Sequence, residues 1–180
     1  MKLDPRAWRS REALRLALMI LLERKSLNQI IIRDITDQAG VGYATFFRHY
    51  ETKDALLNDL AADEIHRLVH LALPLLKGSN ASDACLALCA YVDTRRVLWS
   101  ALLTGGAAGT VREAFLRAAQ QTAASFPEPG GWLSKELGVA FAVSAIIEVL
   151  SWWLRQSAPV PIEQVAEAMD RLAIRPLTPF

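Results

Sequence analysis

Apolar residues recur three or four positions apart along almost the whole 180-residue chain. That spacing lines one face of an α-helix, whereas a half-buried strand alternates with period two. The only β-branched run is Ile30-Ile31-Ile32, three residues long, and too short to seed a sheet. The predicted fold class is therefore all-α, with roughly nine helices and no internal repeat. Hydrophobic residues make up 52% of the chain and charged residues 22%. This is enough apolar material for a sizeable core and excludes a disordered chain.

Punctuation residues divide the helical pattern. Asp4-Pro5 predicts an N-cap followed by proline at the first helical position. The helix it opens runs to about Arg24, with Leu14, Ala17, Leu18, Leu21 and Leu22 on one face. Short helices are predicted at about 32–39 and 43–50, separated by Gly40-Val41-Gly42. Thr52 caps a long helix with Asp54 in its first turn, where the helix dipole favours negative charge. Gly78-Ser79-Asn80 is a loop, followed by helices at about 81–92 and 94–104. Thr110-Val-Arg-Glu113 has capping-box spacing and is expected to open a helix reaching about Phe126. Pro127-Glu-Pro-Gly-Gly131 is a break, followed by an apolar helix from Trp132 to about Gln156. The last helix places Ile162, Val165, Ala166, Met169, Leu172 and Ala173 on one stripe.

Charge is distributed unevenly. Residues 1–53 hold ten Lys and Arg against six Asp and Glu, a net +4, while residues 54–180 carry −3. A basic head on a faintly acidic body suits a polyanion partner. Within that head, two short helices joined by a glycine turn describe a helix-turn-helix. Gly40 supplies positive φ for the turn. Ile35, Ala39, Val41, Phe46 and Tyr50 can form the core against the first helix. Tyr43, Ala44, Thr45, Phe47, Arg48 and His49 are left outward. The first residues of such a helix meet base edges in a major groove. Thr45, Arg48, His49 and Lys53 are donors suited to phosphate oxygens. The expected division is a DNA-binding domain at 1–53 and a helical domain at 54–180, to which the resemblance described next assigns ligand binding and dimerisation.

The stretch Asp34-Ile-Thr-Asp-Gln-Ala-Gly-Val-Gly-Tyr-Ala-Thr-Phe-Phe-Arg-His-Tyr-Glu-Thr-Lys-Asp-Ala-Leu56 resembles the DNA-binding signature of TetR-family transcriptional regulators. That signature reads roughly Ile-Ala-x-x-Ala-Gly-Val-Ser, then Thr-Leu-Tyr-x-His-Phe-x-x-Lys-x-x-Leu. The resemblance runs from Arg11 to Leu56. It implies an all-helical homodimer whose first three helices bind a palindromic operator. It also implies a larger C-terminal domain with a small-molecule pocket, dimerising through its last two long helices. By the same resemblance Tyr43 and Ala44 take base-reading positions, and Thr45, His49 and Lys53 take positions that touch phosphates. Gly42 stands where the family often has Ser. Phe47 stands where a Tyr hydroxyl usually bonds a phosphate, so one contact worth ~1 kcal/mol is expected to be missing. Ile31 stands where a Thr usually caps the second helix, and Arg33 is the candidate replacement phosphate ligand.

In the body, the segment from Leu137 to Leu154 is apolar on nearly every face with one charge, Glu148. It is almost long enough to cross a bilayer. A helix buried on two sides within protein has the same composition, and no membrane role is expected. One side can pack within the subunit, and the other needs a second copy in a C2 dimer. Tyr91, Trp99, Phe115, Phe141, Trp152 and Trp153 supply large rings in the helices that form the family's cavity, and Arg95 is a further candidate ligand contact. They are either ordinary core or the lining of an effector pocket. Glu148 is read as a buried carboxylate, paired with Arg95, Arg96 or Arg112, or contacting an effector.

His66 and His70 have metal-ligand spacing, but no third ligand is evident, so no metal or cofactor is expected. Cys85 and Cys89 read as small buried hydrophobes in a reducing cytoplasm, with a thiol sensor as the alternative. No nucleophile–base–orienter set, Gly-rich phosphate loop or pair of catalytic carboxylates is present, which argues against an enzyme. The expected function is a ligand-responsive DNA-binding regulator, a repressor released by a small, largely apolar effector. A dimeric protein-interaction module with weak DNA affinity is the alternative.

Overall fold

The computed structural model describes residues 5–76, 81–105, 108–127, 133–158 and 160–177. Among these, every regular element is helical: α1 (Pro5–Leu22), α2 (Ile32–Ala39), α3 (Tyr43–His49), α4 (Lys53–Leu76), α5 (Ala81–Asp93), α6 (Arg96–Thr104), α7 (Ala108–Ala123), α8 (Lys135–Leu154) and α9 (Ile162–Met169). A 3-10 turn at Leu27–Gln29 precedes α2, and a π-turn at Asp170–Ile174 extends α9. The Asp4 cap and the loop at 78–80 lie outside the described residues.

Local chemistry sets the ends of the head helices. Ile31 is the N-cap of α2 and has no side-chain acceptor. The Asp34 carboxylate instead reaches back to the Ile31 N–H at 3.3 Å and takes Lys25 Nζ at 3.1 Å. The Lys25 bond, then the backbone bond, holds Asp34 below the ordinary carboxylate value. Gly40 ends α2 in the left-handed region, φ 64° and ψ 33°, as the turn demands. Thr52 Oγ1 accepts from the Ala55 N–H at 3.0 Å and caps α4.

The head packs α1 against α2, α3 and α4. Leu14, Leu18, Ile35 and Phe46 are fully buried, and Tyr50 nearly so. Ala39 and Val41 are partly buried against the same core. α4 then runs out of the head to pack on α5 and α7, and α1 also touches α6. One hydrophobic cluster runs unbroken from Leu14 to Ile174. The head is therefore seated on the body through α4 and α6.

α8 packs against α6, α7 and α9. By length and hydropathy it is the one described helix able to cross a membrane. Here Val139, Ile146, Ile147, Leu150, Trp153 and Leu154 are buried inside the body. Ser134 caps it, accepting from the Leu137 N–H at 3.3 Å.

Two expectations are corrected. α7 begins at Ala108, whose N–H bonds the Gly105 carbonyl at 3.1 Å, so Thr110 lies inside the helix and caps nothing. The stripe of the last helix also breaks. Val165, Ala166, Met169 and Ala173 are buried, but Leu172 is 63% exposed and Ile174 is buried. The π-turn adds a residue to the helical turn and rotates the register.

Candidate functional site

α3 is short because tertiary contacts, rather than length, hold it. Phe46 and Tyr50 anchor its inner side, with ring centroids 5.9 Å apart. Tyr43, Ala44, Phe47 and Arg48 stand exposed on the other side, and Thr45 and His49 are half-buried. Gly42 is the N-cap, with φ −67° and ψ 145°, and its carbonyl accepts from the Thr45 N–H at 2.8 Å. Arg48 Nη2 donates to Thr45 Oγ1 at 2.7 Å. His49 leans back on α1, where Nε2 and Ser10 Oγ share a hydrogen bond of 2.8 Å. Burial first, then the Arg48 and Arg11 charges, pull the His49 imidazole below its ordinary value. Arg33 is exposed at the start of α2.

Lys53 is placed differently from the sequence expectation. Its ammonium donates to the carbonyls of Leu27 and Ile30 at 2.8 and 3.0 Å. Two of its three N–H bonds therefore tie the turn before α2 to the start of α4.

A clasp that sequence reasoning missed joins the head to α4. Arg11 Nε bonds Asp59 Oδ2 at 3.1 Å, a second Arg11 nitrogen bonds Oδ1, and the Tyr50 hydroxyl donates to Oδ2 at 2.6 Å. Arg15 Nη2 bonds Asp63 at 2.5 Å. Burial works to raise Asp59, but the Arg11 and Tyr50 bonds outweigh it and hold the carboxyl low. Burial and the Asp59 bond push the Tyr50 phenol up to about 12. The signal for this clasp was in the sequence: Arg11 and Arg15 on one helix and Asp59 and Asp63 on another share the same four-residue spacing.

The residues expected around an effector fall into two groups. Tyr91, Trp99 and Phe115 form a chain of rings, with centroids 6.5 and 5.9 Å apart. Arg95 lies 5.5 Å over the Tyr91 ring. Trp99 is fully buried, and its indole N–H meets no acceptor among the described residues. Phe141, Glu148 and Trp152 lie elsewhere, on the outward stripe of α8. Glu148 is corrected in its burial and not in its partner: its side chain is 64% exposed, and it pairs with the expected Arg112 at 3.4 Å and with Arg155 at 3.9 Å.

Among the described residues two carboxylates are buried, Asp170 and Glu64, and Glu64, on α4 and 5% exposed, is the one beside the Tyr91–Trp99 rings. It accepts from the Tyr91 hydroxyl at 2.5 Å and from Arg95, and lies 3.5 Å from Arg67. Glu64 falls on the apolar stripe of Leu57, Leu60, Ala61 and Leu68, a carboxylate at a core position. Arg96 pairs with neither glutamate; it bonds the Trp153 carbonyl at 2.9 Å and covers that ring.

Cys85 and Cys89 are buried, and burial pushes their thiols up to about 11 and about 12. Such thiols are inert at neutral pH. His66 and His70 are exposed. Among the described residues no three His, Cys, Asp or Glu side chains are grouped to hold a metal.

α2, the Gly40 turn and an outward α3, packed on α1, form a helix-turn-helix head continuous with a helical body. Residues 17–60 match the family model for bacterial regulatory proteins, tetR family. The fold is shared with a TetR transcriptional regulator from Streptococcus agalactiae 2603V (TM-score 0.66, 20% identity, covering 96% of this chain and 97% of that one). It is also shared with FadR of Thermus thermophilus, a TetR family repressor in complex with lauroyl-CoA (0.63, 16% identity, 94% and 96% covered). A third is RolR in complex with resorcinol (0.59, 18% identity, 93% and 89% covered). No curated protein matches the chain. The family match lies within the head, and the likeness of the whole chain to these structures is one of fold.

Proposed function

We propose that this chain is a ligand-responsive repressor that binds a palindromic operator as a homodimer and leaves it when a small, largely apolar effector binds. The observation that carries the reading is the outward face of α3. Tyr43, Ala44, Phe47 and Arg48 stand clear of the body beside exposed Arg33. Tyr43 and Ala44 enter the major groove, and Arg33 and Arg48 take phosphates. Thr45 and His49 sit at the groove edge, while Lys53 acts by holding the turn before α2 in place.

The working unit is a C2 dimer. Leu137, Phe141 and Trp152 are exposed along one side of α8, with Ala145 and Val149 between them. A second copy covers such a stripe and sets two α3 helices roughly 34–36 Å apart, one helical turn of duplex. The division at residue 53 follows the same logic, with reading before it and dimerisation and sensing after it.

The effector site lies at Tyr91, Trp99 and Phe115. A buried indole N–H without an acceptor costs about 1–3 kcal/mol, which an effector carrying an acceptor relieves. The ligands in the FadR and RolR structures, an acyl-CoA and a dihydroxybenzene, each join apolar surface to oxygen acceptors. An effector seated there displaces Arg95 or Tyr91 from Glu64 and so moves α4.

Fluorescence anisotropy with the DNA flanking its own gene tests the core of the reading. Arg33→Ala and Arg48→Ala each weaken binding to all sequences and lower the salt slope by about one ion. Unchanged affinity and slope in both variants would reject the assignment and favour a protein-interaction role.

A further inference from the structure

We propose that the outward face of α3 selects its operator through thymine 5-methyl groups, with half-sites built on A·T pairs whose thymines face Tyr43, Ala44 and Phe47. The proposal rests on the DNA-binding reading above and deepens it. Tyr43 is 55% exposed and Phe47 47%. The two rings meet edge to face at 5.2 Å, and Phe47 in turn abuts buried Phe46 at 5.4 Å. These rings are braced against the core and present a fixed carbon surface.

Two polar groups beside them already have partners within the head. Thr45 Oγ1 is occupied by Arg48, and His49 Nε2 by Ser10. Tyr43 also walls an open depression of about 450 Å³ with Ile31, Ile32 and Arg33. Carbon therefore extends from α3 to the start of α2.

In a major groove, carbon pressed on the hydrogen-bonding edges of G·C pairs leaves those groups without partners. The one apolar group a base presents there is the thymine methyl, which Ala and aromatic side chains contact favourably. Exposed Arg33 and Arg48 flank the apolar patch, and residues 1–53 carry +4. That rim matches a polyanion and not an apolar protein surface.

The experiment selects duplexes from a random library with the full-length chain at low salt. Each thymine of the selected half-site is then replaced by deoxyuridine, which removes only the methyl. The expected result is thymine-containing half-sites and a loss of about fourfold in affinity for each contacted methyl. Tyr43→Ser and Ala44→Gly, both surface changes, abolish the uracil penalty at one position each while leaving the others. Selected half-sites without thymine, or uracil affinities within twofold of thymine, overturn the proposal while the DNA-binding reading stands. Retention of no duplex at all overturns both.

Discussion

Asp59 shows how one side chain holds two parts of the head together. It accepts from Arg11 on α1 and from Tyr50 at the end of α3, and charge-assisted bonds of this kind outweigh its burial. Its carboxyl is held below the ordinary 3.8. Its contribution is therefore complete above that value and fades as pH falls through the lower folded-state value. Asp59→Asn is expected to cost about 2 kcal/mol at pH 7. It is also expected to flatten the loss of stability that the natural chain shows below about pH 4. Urea denaturation at pH 7 and pH 3 checks both parts, and equal costs at the two pH values would count against the clasp. At this scale the sequence was a partial guide. It read Phe46 and Tyr50 as inward and Tyr43 and Arg48 as outward, as found, because α3 is amphipathic, but it also read His49 as outward, where the ring is half-buried and bonded to Ser10 of α1. It misread Glu148, since a carboxylate in an apolar helix has the same pattern whether it faces the body or the outside. Glu64 was legible in principle, on the stripe of α4, yet its partners come from α5 and the start of α6, and spacing along one helix carries no information about a neighbouring helix.

The α2–turn–α3 unit depends on one backbone conformation. Gly40 has φ 64°, and a Cβ built there meets nothing within 4 Å. The whole cost of Gly40→Ala is then the left-handed backbone itself, about 1–2 kcal/mol. Thermal denaturation is expected to report that loss, and operator affinity at low temperature is expected to change little, because no side chain at 40 blocks the α3 face. A stability unchanged within about 0.5 kcal/mol, the scatter of exposed substitutions, would mean the turn adopts another geometry. The boundaries of α2 and α3 were readable because Gly40 and Gly42 are strong local signals. The capping box at Thr110 was not reliable, since the chain is already helical at Ala108. The register of α9 was also hidden: the π-turn at Asp170–Ile174 answers packing against α5 and α8, and a fixed period of 3.6 does not anticipate an inserted residue.

For the whole molecule, the exposed stripe of α8 carries the proposed assembly. Phe141→Asp combined with Trp152→Asp introduces charge into both large rings of that stripe without touching the buried side. Sedimentation equilibrium is expected to give a dimer for the natural chain and a monomer for the double variant. Affinity for a palindromic duplex is expected to fall at least tenfold, as the second half-site no longer contributes. A natural chain that stays monomeric at micromolar concentration would remove this assembly. Within each chain, α4 is gripped on two sides. Asp59 is bound by the head and Glu64 by α5 and α6, and five residues separate them by about 7.5 Å along the axis and about 140° around it. A twist imposed at one grip has no slack in which to dissipate before it reaches the other. On the proposed reading, a lineage that exchanges one inducing compound for another by altering Tyr91 or Arg95 inherits a changed hold on its operator in the same step. The two traits then drift together until Glu64 regains a full set of partners.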